Sequence, residues 1–246
     1  MGGDPGAAST RLPVPAATVA HVSIRGHAEP FPVHRIYCIG RNFADHVKEM
    51  GYAAPASAAK ADRAPPVFFM KPADAVVADG ATIPYPRGTN DFHHEVELIA
   101  ALGADHDGIV EVAEALNLVF GYSVGLDLTR RDLQASAKAK GNPWDVAKGF
   151  DRSAPISEIV PIAVCGHPVD ATLSLQVNGR IVQSSNLTDM IYSVPEVLHE
   201  LSKLYDLRAG DLVFMGTPAG VGPLQRGDRY VAKVEGLAEM SGGIAD

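Results

Sequence analysis

The sequence predicts a mixed α+β domain, and three observations carry that prediction. Short runs of β-branched and apolar residues ahead of Gly or Pro dominate the chain. The helical patterns between them are short and do not alternate regularly with the strands, which disfavours a doubly wound parallel sheet. No internal repeat imposes a solenoid or propeller. With 246 residues, 46% of them hydrophobic, the chain can bury a substantial core as one soluble domain, expected over residues 31–246 after an N-terminal extension over 1–30.

The opening MGGDPGAASTRLPVPAA lacks both the basic start and the apolar core of a secretory signal and reads as a partly loose leader. ATVAHVSI and VHRIYCIG follow as strands. GRNFADHVKEMG then reads as a short helix closed by Gly51, and the Ala/Pro-rich YAAPASAAKADRAPP as a surface loop, so that 42–64 has the makings of a lid. PVFFMKP is a compact strand ending at Pro72. FHHEVELIAALG is the next strand, and EVAEALNLVFGYSVGLDLT passes from a helix into a strand ending near Asp127.

TRRDLQASAKAKG reads as a helix with Thr129 as N-cap and Gly141 as its stop. Asn178-Gly179 joins LSLQVNG to RIVQSSN in a hairpin. VPEVLHELSKLY has helical apolar spacing, and GDLVFMGTPAGVG is a buried strand entering a Gly-rich turn.

Charge and cysteine content narrow the function. A formal net charge of -8 argues against tracking phosphates, so a nucleic-acid role is not expected. No apolar run approaches membrane-spanning length. Cys38 and Cys165, the only two cysteines, suggest neither a disulfide framework nor a thiolate metal site, and a reducing cytoplasm fits them.

Within FHHEVELIAALG, Glu95 and Glu97 lie one residue apart, so in a strand both point to one face. Such a pair is either a solvated face or a repulsion that something must neutralise. HHEVE is not the zinc motif it evokes, because Leu98 stands where the second His is required. Two carboxylates with a third oxygen donor instead favour a hard cation, Mg²⁺ or Mn²⁺. Asp127 is the natural third donor and equally a cap for the following helix.

His46 and Glu49, three apart on a helix, can form a pair that deprotonates water; the plain alternative is an ordinary polar surface helix. Lys148 can hold an ammonium in a pocket or stand exposed. Arg130 and Arg131 can bind a substrate carboxylate or pair with Asp127 and Asp132. GTPAGVG lacks the Lys-Ser/Thr ending of a phosphate loop, yet its N–H groups and the Thr217 hydroxyl can meet an anion; a tight structural turn explains it equally.

Taken in order, GRNFADHVKEMG, PVFFMKP, FHHEVELIAALG, GYSVGLDLTRRDLQ, PWDVAKGFDRSAPI, LQVNG and GDLVFMGTPAGVG resemble the fumarylacetoacetate hydrolase family from about Val33 to Gly236. The resemblance implies a mixed β-sandwich roll, usually a homodimer, with a divalent cation held by Glu95, Glu97 and Asp127. It also implies His46 and Glu49 as the water-activating dyad, Lys148 as the active-site lysine, and Thr217, Gln134, Arg41 and Arg131 along the substrate pocket.

FPVHRIYCIGRNF with FFMKPADA is most similar to the small acylpyruvate hydrolases of this family, fumarylpyruvate hydrolases of gentisate breakdown in particular. Oxaloacetate decarboxylation, keto-acid isomerisation or hydration, and non-catalytic dicarboxylate binding are the competing expectations. The tail AEMSGGIAD departs from the family pattern and predicts a shortened or replaced last strand.

Overall fold

The computed structural model describes residues 18–51 and 63–246. The leader through residue 17 and most of the expected lid loop, 52–62, lie outside them.

A large twisted sheet forms the centre. Its strands run in the order Val67–Lys71, Ile36–Gly40, Leu212–Phe214, Val96–Leu102, Val119–Leu126, Ala154–Ile156 and Val76–Ala78, with Val160–Pro161 also paired to Val119–Leu126. A second sheet of five strands, in the order Arg180–Asn186, Thr172–Val177, Arg229–Val234, Ala238–Ile244 and Thr82–Ile83, packs over one face. Leu98, Ala100 and Leu102 share a core with Leu173, Leu175, Ala232 and Met240 between the two sheets. Ile99 and Ala101, one residue out of phase, join Ile36, Cys38, Ile156 and Phe214 in a core on the opposite face. Both faces of the central strands are therefore buried, which is why VELIAAL reads as a nearly unbroken apolar run.

Local signals are obeyed where the chain turns. Gly141 ends the helix Arg131–Lys140 in the left-handed conformation (φ 67°). Asn178 and Gly179 both take positive φ, as the two-residue hairpin turn requires. The helix Val194–Ser202 opens on a capping box between Ser193 and Glu196.

Three expectations need correction. Thr129 does not cap a helix: it pairs with His93 in a short strand, and Arg130 occupies the cap position. The helix expected before Val119 is a single 3-10 turn, Ala115–Leu118. The tail is neither shortened nor replaced: in the strand Ala238–Ile244, residues 238–243 pair with Arg229–Val234, and Ile244 pairs with Ile83. Gly242 does not break that strand: a Cβ there would lie 2.2 Å from the Tyr230 hydroxyl, so glycine is what lets the buried tyrosine cross it.

Candidate active site

Glu95 stands where the chain leaves one sheet for another, between the strand Phe92–His94 of a three-stranded sheet and Val96–Leu102 of the large one. Asp127 follows the strand Val119–Leu126, and its N–H donates to the Glu95 carbonyl at 2.8 Å just beyond the Val96–Leu126 pair. Glu97 sits two residues into the strand opposite Gly125. Antiparallel register thus gathers the three acids, and all are buried. The solvated-face alternative for Glu95 and Glu97 is excluded, as is the helix-cap alternative for Asp127.

Buried cations face these acids. Lys148 Nζ donates to Glu95 Oε2 at 2.8 Å, Asp127 Oδ2 at 2.5 Å and Thr129 Oγ1 at 2.7 Å, which occupies its three N–H bonds. Arg131 pairs with Glu95 Oε1 and donates to Gln134 Oε1 at 2.6 Å. Lys71 Nζ lies 2.7 Å from Asp127 Oδ1 and donates to the carbonyls of Leu128 and Lys148. Lys71 carries no sequence signal beyond ending an apolar strand, a position that reads as an exit to solvent.

The electrostatics follow from burial and these neighbours. Burial alone would raise Glu95, but Lys148 and Arg131 outweigh it and hold the carboxyl well below the usual range. Glu97 goes the other way: burial, then the charges of Asp127 and Glu95, push it well above the ordinary value. Burial disfavours the Lys148 ammonium, yet Asp127 and Glu95 leave it above the usual lysine value.

One oxygen from each acid lies within 4.8 Å of the others, an all-oxygen set that fits a hard divalent cation. Two features of the cluster support the fit. Asp127 Oδ1, despite its ion pair with Lys71, accepts no well-directed hydrogen bond and keeps a lone pair for a ligand. Glu97 is the acid whose charge its neighbours oppose, and a cation would relieve that opposition.

The dyad lies in the same cleft. The helix Ala44–Glu49 is anchored at its start by the buried Asn42, whose side chain bonds Tyr192 N at 2.7 Å, Tyr192 O at 3.0 Å and Met215 O at 2.8 Å. His46 Nδ1 is 3.0 Å from Glu49 Oε2. Glu49 Oε1 accepts from Gly220 N at 2.9 Å, tying the helix end to the Gly-rich turn. Arg41, His46, Met50, Arg131, Gln134, Lys138, Trp144, Lys148 and Thr217 line the cleft with the three acids. Arg41 takes a left-handed backbone (φ 64°), rare outside glycine. Nine of the ten residues that the resemblance implied line this cleft, and the tenth, Glu49, is bonded to His46, whereas Arg130 turns to Val146 O and the Phe150 ring.

The turn GTPAGVG does bring its N–H groups to anions, but to the protein's own. Gly216 N donates to Glu97 Oε2 at 2.7 Å and Gly220 N to Glu49. Gln183 holds the turn from the second sheet, donating to Thr217 Oγ1 at 2.8 Å and Pro218 O at 2.9 Å while its Oε1 bonds His94 Nδ1 and Val96 N. Gln183 is invisible to sequence reasoning, because QSSN in a hairpin reads as a solvated strand end.

The model of the fumarylacetoacetate hydrolase C-terminal domain matches residues 35–245. The chain belongs to the fumarylacetoacetate hydrolase family. Relatives within the family differ in activity. A fumarylpyruvate hydrolase of Ralstonia sp is 43% identical over 71% of this chain and 90% of the relative. A mitochondrial oxaloacetate tautomerase of Arabidopsis thaliana is 41% identical over 84% of this chain and 88% of the relative. The solved structure of a Pseudomonas aeruginosa fumarylpyruvate hydrolase in complex with Mn²⁺ and pyruvate aligns with a TM-score of 0.89 and 43% identity, covering 96% of this chain and 99% of that one. The fold is the α+β roll of this family.

Proposed function

We propose that the protein hydrolyses a carbon–carbon bond in a 3-acylpyruvate, with fumarylpyruvate, split to fumarate and pyruvate, as its foremost substrate. The observation that carries the reading is the His46–Glu49 dyad in the same cleft as the acid cluster. Glu49 takes up Nδ1–H, which fixes the tautomer and leaves the Nε2 lone pair to accept a proton. An active site for hydrolysis needs such a base beside its substrate anchor.

Glu95, Glu97 and Asp127 would hold Mg²⁺ or Mn²⁺, which when bound supplies Lewis-acid neutralisation of the keto-acid end. Arg131 and Gln134 flank the same end and orient the carboxylate. His46 takes a proton from water, whose oxygen attacks the acyl carbonyl carbon. Lys148, whose ammonium lies against Glu95 and Asp127, would stabilise the developing oxyanion. Collapse breaks the bond to the adjacent methylene carbon and releases the acid together with pyruvate enolate. The proton held on His46 returns to that carbon and completes pyruvate.

The test follows the enol absorbance of fumarylpyruvate with purified protein and Mg²⁺, and product analysis for fumarate. Glu97→Gln should weaken Mg²⁺ binding in calorimetry by at least the roughly 10- to 100-fold that loss of a group merely supporting a ligand costs; affinity equal to the parent's would remove Glu97 from the ligand set.

A second reading, keto–enol conversion of oxaloacetate, draws on the tautomerase relatives. It needs the same base and anchor but no attacking water. Oxaloacetate enol conversion with no cleavage of any acylpyruvate would favour it. Binding of both ligands with turnover of neither would favour a non-catalytic role.

A further inference from the structure

The acylpyruvate reading leaves the far end of the acyl arm without a receptor. Arg131, Gln134 and Lys138 stand at positions i, i+3 and i+7 of the helix Arg131–Lys140, so their side chains share one face, and all three line the cleft. Arg131 reaches the acids and Gln134 reaches Arg131. Lys138 is the next residue outward. At 1.5 Å per residue the helix carries it about 10 Å beyond Arg131 along the axis. Two carboxylates at the ends of an extended seven-carbon chain, the length of fumarylpyruvate, stand roughly 8 Å apart by the reach of such a backbone. A four-carbon keto diacid spans about half that distance.

The surroundings of Lys138 suit an anion. Its Nζ lies 5.1 Å from the centre of the Trp144 ring, which gives the ammonium an aromatic wall in place of water. Burial, then the positive charge of Arg131, lowers its pKa to about 8; Lys148 and Arg41 add to that lowering, and Glu95 is the acid that opposes it. Among the described residues that line the cleft, Arg41 and Lys138 are the cations beyond the acid cluster. Resting on the acylpyruvate reading, we propose that Lys138 receives the distal carboxylate of the acyl arm, which selects substrates with a long, negatively charged arm over short keto acids.

The experiment compares 2-oxopimelate, the saturated seven-carbon keto diacid, with its ω-amide, the same chain without the distal charge, by calorimetry in Mg²⁺. The parent and Lys138→Arg should bind the diacid about tenfold more tightly than the amide, the worth of one charge-assisted hydrogen bond. Lys138→Met should bind both alike. A preference that survives in Lys138→Met, or no preference in the parent, overturns the assignment. Failure of the reaction reading is distinguishable, because fumarylpyruvate would then go uncleaved while the charge preference and its loss in Lys138→Met remained.

Discussion

The two ends of the cleft are built differently. At the inner end, Glu95, Glu97 and Asp127 extend from paired strands and face Lys71, Lys148 and Arg131 at ion-pair distances, with almost every polar atom engaged. At the outer end, Arg41, His46, Glu49 and Lys138 come from a turn and two helices. The inner end is part of the structural framework, so damage there should reach stability. The outer end should be open to change in turnover and specificity with the fold intact.

The largest effect should come from breaking the inner end at Lys71. Its side chain is inaccessible to solvent, and Lys71→Met takes from Asp127 one of its two ammonium partners and from the carbonyls of Leu128 and Lys148 a buried donor. Removing one partner of such a buried pair costs about 3–5 kcal/mol, to be read from urea unfolding. Added Mg²⁺ should recover part of the loss by replacing the missing charge. A midpoint within about 0.5 kcal/mol of the parent, the range of ordinary surface changes, would mean the cluster is not a structural unit.

The matching break at the outer end is His46→Ala. Turnover should fall about 10²- to 10⁴-fold, the range for losing a general base, while the Mg²⁺ isotherm stays with the parent's. If turnover is unchanged, His46 is not the base. If Mg²⁺ affinity falls with turnover, the two ends are not independent.

These contrasts also explain what was legible in the sequence. Glu95 and Glu97 declared their proximity through strand alternation, and His46 and Glu49 through helical spacing, because both signals are local. Asp127 was equally a helix cap until the register placed it beside Glu95. Lys71 and Gln183 gave no local sign, since each is defined by partners far along the chain: Asp127 for one, Thr217 and His94 for the other. Gly242 misled for the same reason, as the Tyr230 ring it admits lies on another strand. Strand and turn chemistry is written within a few residues, whereas neutralisation of buried charge is written across sheets.

Gln183 joins the two ends, and its removal should give an intermediate effect. Gln183→Leu leaves Thr217, Pro218 O, Val96 N and His94 without their partner in a buried site. The stability cost should be about 1–3 kcal/mol by unfolding. Substrate KM should rise with it, because the Thr217 hydroxyl loses its anchor. A stability loss with KM unchanged would detach Thr217 from substrate binding.

The smallest effect concerns pH at the rim. Lys138 has its pKa lowered to about 8 by burial and by Arg131, with Lys148 and Arg41 in the same direction and Glu95 against them. Its ammonium is therefore present below about pH 8 and lost above it. A distal carboxylate that binds the ammonium loses its partner over that interval, so the preference for 2-oxopimelate over its ω-amide should be full at pH 7 and decline toward the Lys138→Met value by pH 9. The ratio of the two affinities is the quantity to follow, because any titration near the acid cluster or His46 that affects both ligands alike cancels from it. Lys138→Arg, whose guanidinium stays charged throughout, should keep a flat ratio. A parent ratio that is equally flat would mean that the charge read by the distal carboxylate belongs to an arginine, with Arg41 the one to substitute next.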